Sequence, residues 1–239
     1  MFQTLLDDAK RFLKLQTWYH ERGIPFRRGY LLYGPPGTGK SSCVSALAAA
    51  LDMNICMVHL SNKNLSDDKL NSLLLNTPYS SIILLEDIDH ALDSTKKPKR
   101  SSDDDDEGTV TLAGLLNCID GVIAQEGRLV FMTTNHVTKL PVALVRPGRV
   151  DLSMLVDYAT EEQIEQMFLN FYPKEISAAK QFIKELKSIP TANNQEGSGE
   201  PKITTAALQG HFLQYKDDAQ KAVERAREVL HAGHFEETD

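Results

Sequence analysis

The octapeptide GPPGTGKS, Gly34 to Ser41, has the residue types and spacing of a loop that binds a polyphosphate. It lies between an apolar run typical of a strand, 30–33, and an alanine-rich run typical of a helix, 41–51. The glycines let successive backbone N–H groups turn toward an anion, and the following helix points its positive end at the same anion. We expect Lys40 to reach the β- and γ-phosphates and the Ser41 hydroxyl to bind Mg²⁺. A Gly- and Pro-rich turn that fits the pattern by chance is the alternative. The predicted phosphate-binding residues are Gly34, Pro35, Pro36, Gly37, Thr38, Gly39, Lys40, Ser41 and Ser42.

Two adjacent carboxylates, Glu86 and Asp87, follow the apolar run 82–85. Such a run is typical of a strand that is buried on both faces of a parallel sheet. The carboxyl ends of these strands form the edge where doubly wound sheets bind ligands. We expect one carboxylate to hold the Mg²⁺ shell and the next to polarise an attacking water. A charged strand end with no role in catalysis is the alternative.

Asn135 follows another apolar run, in the sequence FMTTN. A polar side chain at the end of a buried strand can reach a γ-phosphate and the attacking water, so Asn135 is a candidate for both contacts. Taken alone, an asparagine here is also typical of a turn that caps a strand.

Arg146 and Arg149 lie three positions apart around the turn in LVRPGRVD. An arginine that a neighbouring subunit supplies to a γ-phosphate strongly accelerates hydrolysis, and we predict Arg149 for this role with Arg146 as the alternate. Two surface salt bridges are the alternative interpretation.

Strand and helix signals alternate over the first two thirds of the chain, which predicts an α/β fold with a parallel sheet flanked by helices. The predicted strands are 29–34, 55–60, 81–86, 128–134 and 150–157. The predicted helices are 3–20, 39–51, 66–76 and 109–120. Beyond Tyr158 only helical patterns follow, which predicts an all-helical second domain. Its predicted helices are 160–172, 175–187, 203–215 and 217–232.

The composition excludes several classes of protein. Apolar residues make up 41% of the 239 residues, as is ordinary for a globular protein. The formal net charge of −7 argues against a dedicated nucleic-acid binder, which needs a basic surface. No apolar run approaches the roughly 18 residues of a membrane span. The 3 cysteines are isolated in apolar surroundings and are expected to be reduced core residues.

The segment 96–107 combines a basic run, KKPKR, with an acidic run, DDDDE. A solvated loop is the simpler interpretation of such a composition. Because the segment follows the carboxylates closely, a loop at the functional face is the alternative.

Taken together, these motifs resemble those of the AAA+ ATPase family. GPPGTGKS is similar to its Walker A motif, LLEDID to its Walker B motif and TTN to its first sensor, while LVRPGRVD is similar to its arginine-finger segment. Within that family, nearly the whole chain resembles the Bcs-type mitochondrial chaperones. The segments that carry this resemblance are WYHERGIPFRRGY, LSDDKLNSLL, LLEDIDHA, TLAGLLNCIDGV, FMTTNHV, QMFLNFYP and ITTAALQGHFLQYK.

The resemblance implies an AAA+ α/β ATPase core over 1–157, with an N-terminal helix at 3–20, and a helical lid domain over 158–239. It implies hydrolysis of ATP to ADP with Mg²⁺ in a homo-oligomeric ring, which is a heptamer in the Bcs-type family. It also implies translocation of the folded Rieske iron–sulfur protein across the mitochondrial inner membrane, with the ATPase module in the matrix, during assembly of respiratory complex III. The expected membrane contact is an N-terminal segment absent from this chain.

Two departures from the AAA+ pattern affect the expected mechanism. The usual order at the end of the Walker B strand is Asp then Glu, whereas here Glu86 precedes Asp87. Because the apolar run fixes the register, we expect Glu86 on the metal side and Asp87 on the water side, with their division of labour left open. The loop 61–65 lacks the aromatic residue of threading unfoldases, which favours a substrate that is moved folded. A generic AAA+ unfoldase and a nucleotide-gated structural ring with little turnover are the alternatives.

Overall fold

The computed structural model describes residues 1–60, 62, 64–89, 110–120, 126–188 and 202–230. The chain forms two compact units. The first comprises Met1–Gly34 and Lys40–Val156, and the second comprises Pro35–Gly39 and Asp157–Asp239. The charged segment 96–107 lies outside the described residues, as do Ser61 and Lys63 of the loop 61–65. Within the described ranges no helix has the length and apolar character that a membrane span requires.

The first unit is built on a five-stranded sheet with the strand order β2-β3-β4-β1-β5. Its strands are β1 (Arg27–Tyr33), β2 (Asn54–His59), β3 (Ser81–Glu86), β4 (Arg128–Thr134) and β5 (Leu152–Leu155). Every pair of neighbouring strands is parallel, which confirms the predicted parallel sheet. The carboxyl ends of all strands therefore lie at one edge, where ligands bind in folds of this kind.

Helices cover both faces of this sheet. The α-helices described in full in the first unit are α1 (Phe2–Leu13), α2 (Gln16–Glu21), α3 (Lys40–Leu51), α4 (Asp67–Leu75) and α5 (Leu112–Asp120), and a 3₁₀ helix spans Val137–Lys139. Because side chains alternate along a strand, Tyr30 and Leu32 of β1 pack in one apolar cluster with α1 and α3. Leu31 points the other way and packs with α4 and α5. Strands β3 and β4 are buried along almost their whole length.

A partly buried ion pair connects α1 to the sheet. The Asp8 carboxylate accepts two hydrogen bonds from the Arg28 guanidinium, at 2.9 and 3.0 Å, and a third from the Tyr30 hydroxyl at 2.9 Å. Burial, together with the Asp8 carboxylate, raises the pKa of Tyr30 well above its ordinary value. The phenol therefore stays protonated and keeps donating to Asp8.

The single helix predicted over 3–20 is wrong in one respect, because the chain breaks into α1 and α2 at residues 14–15. The break accompanies an aromatic cluster. Phe12 stacks on Phe26 with 4.3 Å between ring centroids, and Tyr19 meets the edges of both rings at 5.6 and 5.4 Å. The bend turns Tyr19 back onto the other two rings, which a continuous helix would carry away from them.

Helix α5 also begins later than the predicted start at residue 109, which lies outside the described residues. Thr111 is not helical because its main-chain N–H and its hydroxyl both donate to the Asp67 carboxylate, at 2.7 and 2.6 Å. The same hydroxyl accepts the N–H of Gly114 at 2.9 Å and so caps the helix. The Asp67 carboxylate occupies the space that a Cβ on Gly114 would need.

The second unit is helical, as predicted for the part of the chain beyond Tyr158. Its helices are α6 (Glu161–Phe171), α7 (Ile176–Lys187), α8 (Thr205–Gln214) and α9 (Ala219–Glu224), followed by a 3₁₀ turn at Ala226–Leu230. A capping box formed by Thr160 and Gln163 starts α6. The core of this unit is aromatic, and Phe168, Phe182 and Phe212 are fully buried in it.

The helix predicted over 217–232 is divided between α9 and the 3₁₀ turn, and residues 231–232 lie outside the described part of the chain. The tighter turn brings Glu228 within 3.2 Å of the Arg225 guanidinium. Glu228 also accepts the Tyr215 hydroxyl at 2.6 Å. The bond to Tyr215, the residue that follows α8, holds the end of the unit against that helix.

His211 is a buried histidine in the second unit, 3% exposed and held by a hydrogen bond of 2.8 Å from its Nε2 to the carbonyl oxygen of Ala222. Because a carbonyl can only accept, Nε2 carries the proton. Burial lowers the pKa of His211, while the bond to Ala222 and the nearby Glu228 carboxylate oppose that shift. The folded unit therefore favours the neutral imidazole.

We predict that acidification destabilises the second unit. Below about pH 6.5, the ordinary pKa of histidine, the unfolded chain takes up a proton that the folded unit excludes from His211. The free energy of unfolding therefore falls as the pH falls. Hydrogen exchange of peptides from α8 and α9 measures this change. His211→Gln should weaken the pH dependence, and an unchanged dependence in this variant would exclude His211 as the titrating group.

Candidate active site

The phosphate-binding loop leaves β1 through a glycine that no other residue replaces without strain. Gly34 has φ of +145°, and a Cβ there would lie 2.2 Å from the carbonyl oxygen of Val156. At the other end of the loop, the Lys40 ammonium folds back and donates to the carbonyl oxygen of Gly34 at 2.9 Å. Within the loop, the Thr38 hydroxyl donates to the carbonyl oxygen of Pro35 at 2.9 Å. These bonds close the loop on itself.

The tip of the loop, Pro35–Gly39, belongs to the second unit because it is hydrogen-bonded to the start of α8. The carbonyl oxygen of Gly37 accepts the main-chain N–H of Ala206 at 3.0 Å and the Thr205 hydroxyl at 3.1 Å. Sequence reasoning missed these contacts. The partners are more than 160 residues apart, and nothing in the sequence ITTAALQG indicates a loop-binding helix start.

Hydrogen bonds link Lys40 to two other predicted residues, Asn135 and Asp87, in one line. Its ammonium donates to Asn135 Oδ1 at 2.7 Å, and Asn135 Nδ2 donates in turn to Asp87 Oδ1 at 3.5 Å. Lys40 is nearly buried, and burial lowers its pKa, whereas the charges of Asp87 and Asp89 act in the opposite direction. The two carboxylates thus favour the ammonium form that a phosphate-binding lysine requires.

Asp87 has a strained main chain, with φ of +49°. Residues other than glycine rarely adopt this conformation, although Asp does so more readily than most, and such positions cluster at active sites. The conformation is held by a hydrogen bond of 3.2 Å from the Asp87 N–H to Thr133 Oγ1. Two residues on, the buried Asp89 carboxylate accepts the Thr134 hydroxyl at 2.7 Å. Sequence reasoning missed Thr133, Thr134 and Asp89, although the third carboxylate in EDID and the threonine pair before Asn135 are visible signals.

Ser41 and Glu86 form a second polar pair beside this line. The Ser41 hydroxyl donates to Glu86 Oε1, while Glu86 Oε2 contacts His59 Nδ1 at 3.0 Å. A hydroxyl and a carboxylate are oxygen ligands of the kind that Mg²⁺ prefers, and Mg²⁺ in nucleotide sites takes one or two such protein ligands beside the phosphates. The pair therefore fits the predicted metal side of the site. His59 was not among the predicted residues.

Arg149, predicted as the primary candidate for the trans-acting arginine, is engaged within its own chain. Its Nε donates to Asp120 Oδ2 at 2.6 Å, and its Nη1 donates to the carbonyl oxygen of Ala143 at 2.5 Å. Arg146 is exposed, and within the described residues its side chain makes no hydrogen bond or ion pair. These contacts favour Arg146 over Arg149 for a contact outside the chain.

A phosphate loop on a parallel five-stranded sheet, with lysine, asparagine and paired carboxylates at the strand ends, defines a P-loop nucleoside triphosphatase. Residues 30–158 match the family described as "ATPase family associated with various cellular activities (AAA)". The chain belongs to this AAA family of ATPases, as its motifs predicted. Residues 161–228 match a second description, "Mitochondrial chaperone BCS1-like, ATPase lid domain". The chain is thus a AAA domain followed by a BCS1-like lid domain.

Named relatives agree with these matches. The chain is 45% identical over 232 residues to "Mitochondrial chaperone BCS1" of Danio rerio, covering 95% of this chain and 52% of the relative. It is 44% identical over 230 residues to the human protein of the same name, covering 94% and 52%. It is 42% identical over 252 residues to "Probable mitochondrial chaperone BCS1-B" of Dictyostelium discoideum, covering 95% and 52%. The chain therefore spans about half the length of these relatives.

Removing the Lys40 ammonium should abolish tight nucleotide binding. We choose Lys40→Met because the side chain is nearly buried, so a residue of similar volume preserves packing. The loss of a charged hydrogen bond to phosphate is expected to lower the affinity for ATP by about 10- to 100-fold. Titration calorimetry measures this affinity. Lys10→Ala, an exposed lysine in α1, is the matched control, and an unchanged affinity in Lys40→Met would refute the assignment.

Proposed function

We propose that this chain hydrolyses ATP to ADP with Mg²⁺ at the carboxyl edge of its sheet. The observation that carries the proposal is two sets of side-chain hydrogen bonds, Lys40–Asn135–Asp87 and Ser41–Glu86. Lys40 binds the terminal phosphates, and Asn135 orients the attacking water. Asp87 accepts a proton from that water, since its carboxylate lies at the end of the first set.

We assign the metal side to Ser41 and Glu86. Bound Mg²⁺ would neutralise charge that develops on the phosphate oxygens. Two observations support the division of labour between the carboxylates. Glu86 contacts the Ser41 hydroxyl, whereas Asp87 contacts Asn135. The reversed order of Glu and Asp thus leaves one carboxylate for each role, with side chains of different length.

Asp87→Asn should retain ATP binding and lose turnover, because the amide keeps the shape of the side chain but cannot accept the proton. Glu86→Gln should mainly raise the Mg²⁺ concentration needed for half-maximal activity. Phosphate release by the full-length ring, measured over a range of Mg²⁺ concentrations, separates the two effects. If Glu86→Gln alone abolishes turnover at saturating Mg²⁺, the roles are reversed. Full-length wild-type rings that bind ATP but release no phosphate would instead favour the nucleotide-gated structural ring.

We further propose that the active form is a homo-oligomeric ring in which Arg146 reaches the nucleotide of a neighbouring subunit. AAA family proteins commonly assemble into rings, and the exposed Arg146 side chain supports this role. Asp120 holds Arg149, and Asp151 accepts the N–H of Gly148 at 3.2 Å, so two bonds fix the part of the turn that follows Arg146. Arg149 then acts as a positioning residue.

Arg146→Ala should leave folding and ATP binding unchanged but lower hydrolysis in the full-length ring by about 10³-fold. Arg149→Ala, unlike Arg146→Ala, should lower the melting temperature, because it leaves Asp120 without its cation. Mixed rings provide the decisive measurement. Arg146→Ala subunits mixed with Lys40→Met subunits should recover activity at interfaces where an intact Lys40 of one subunit meets an intact Arg146 of its neighbour. Absence of recovery at every ratio, with assembly verified, would place the arginine's action within its own subunit.

For the biological role, we propose the ATPase module of a mitochondrial chaperone, with the α/β core over 1–157 and the lid over 158–239. The BCS1-like lid and the names of the relatives support this role. The proposed substrate is the folded Rieske iron–sulfur protein, moved across the inner membrane from the matrix side for assembly of complex III. Rings of the full-length protein that carry Asp87→Asn supply the test, since they should assemble and yet fail to deliver this substrate.

A further inference from the structure

The carbonyl oxygen of Gly37 accepts two hydrogen bonds from the first turn of α8. The Thr205 hydroxyl donates at 3.1 Å, and the main-chain N–H of Ala206 donates at 3.0 Å. A carbonyl oxygen has two lone pairs, so two donors use its full capacity. Gly37 and α8 belong to the same compact unit. The direction of this carbonyl is therefore set by residues outside the phosphate loop.

The Gly37 carbonyl shares one planar peptide group with the N–H of Thr38. This peptide is trans, as are all the peptide bonds that the structure describes. In a trans peptide the C=O and the N–H point in opposite directions. The Thr38 N–H therefore points away from α8. Main-chain N–H groups of such a loop are the donors that surround a bound phosphate, so the direction of this N–H matters for nucleotide binding.

Gly37 leaves the orientation of this peptide weakly restricted. It has φ of +75°, and glycine adopts positive and negative φ about equally well because it has no Cβ. If the peptide rotated, a partly negative carbonyl oxygen would replace the N–H beside the phosphate. The two bonds from α8 oppose that rotation, because it would leave both donors without their acceptor.

The consecutive threonines at the start of α8 have different partners. Thr204 caps its own helix, since its hydroxyl accepts the N–H of Ala207 at 3.2 Å. The Thr205 hydroxyl is directed instead to the loop. It lies so close that a Cβ on Gly39 would be 3.4 Å from Thr205 Oγ1, which is van der Waals contact. Thr205 thus serves the phosphate loop, whereas Thr204 serves the helix.

We propose that Thr205 is a positioning residue for nucleotide binding, whose hydroxyl holds the Gly37–Thr38 peptide with its N–H directed to the phosphates. The proposal rests on the phosphate-binding role assigned to the loop above. A neutral hydrogen bond of this kind changes an equilibrium by about 3- to 10-fold. The expected effect is therefore smaller than that of removing the Lys40 ammonium.

Three variants separate this role from a structural one. Thr205→Val keeps the shape of the side chain and removes the hydroxyl, whereas Thr205→Ser keeps the hydroxyl. The matched control is Thr204→Val, which removes the cap of the same helix and leaves both donors to Gly37 in place. If Thr205 acted only by stabilising α8, Thr204→Val would weaken nucleotide binding at least as much as Thr205→Val.

The measurement is the dissociation constant of ADP in the full chain with Mg²⁺, by titration calorimetry. Thr205→Val should raise this constant about 3- to 10-fold. Thr205→Ser should stay close to the wild type, and so should Thr204→Val, although the lost cap lowers its melting temperature. In nitrogen-15 NMR, ADP should shift the Thr38 amide proton less in Thr205→Val than in the wild type, because the N–H is no longer held toward the phosphate.

Three outcomes would overturn the role of Thr205. They are a wild-type constant in Thr205→Val, equal losses in the Val and Ser variants, and an equal loss in Thr204→Val. Lys40→Met is measured in parallel to test the underlying assignment. If Lys40→Met binds ADP normally, the phosphate-binding role of the loop is wrong. If it binds weakly and Thr205→Val binds normally, only the role of Thr205 fails.

Discussion

The Lys40 ammonium is the charge around which the polar edge of the sheet is arranged. A nearly buried cation must be matched by acceptors and by opposite charge, or it loses its proton. Here the acceptors are the carbonyl oxygen of Gly34 and the amide oxygen of Asn135, and the opposing charges are Asp87 and Asp89. These partners come from the ends of three different strands. The site therefore exists only while β1, β3 and β4 keep their register, since a slip by one residue would turn every side chain to the other face.

This dependence on strand register explains how several polar side chains can lie next to an apolar core. Strands β3 and β4 are buried along nearly their entire length, and the apolar side chains of β1 pack on both faces. At the carboxyl ends of these strands, buried polar side chains are paired with each other, as Thr134 is with Asp89. The strained conformation of Asp87 is likewise held in place, by Thr133 on the neighbouring strand. The rigid strands thus fix the position of the Asp87 carboxylate, which would be mobile on an unsupported loop.

Local sequence patterns predicted the parts of this fold that depend on local chemistry. The apolar run 82–85 gave the correct strand, and the octapeptide GPPGTGKS gave the correct location of a loop between β1 and α3. Contacts that depend on strand order escaped prediction. His59 meets Glu86 only because β2 pairs with β3, and Arg149 meets Asp120 across 29 positions of the chain. The break between α1 and α2 was missed for a similar reason, because it satisfies a ring contact with Phe26 beyond the helix.

The hydrogen bond from Ala206 to Gly37 is insensitive to most substitutions of its donor residue. Its donor is a main-chain N–H, and its acceptor is a main-chain carbonyl. Every amino acid except proline supplies that donor. Residue 206 can therefore be any amino acid except proline without loss of the main-chain donor to Gly37. A main-chain contact of this kind has no side-chain motif by which the sequence could reveal it.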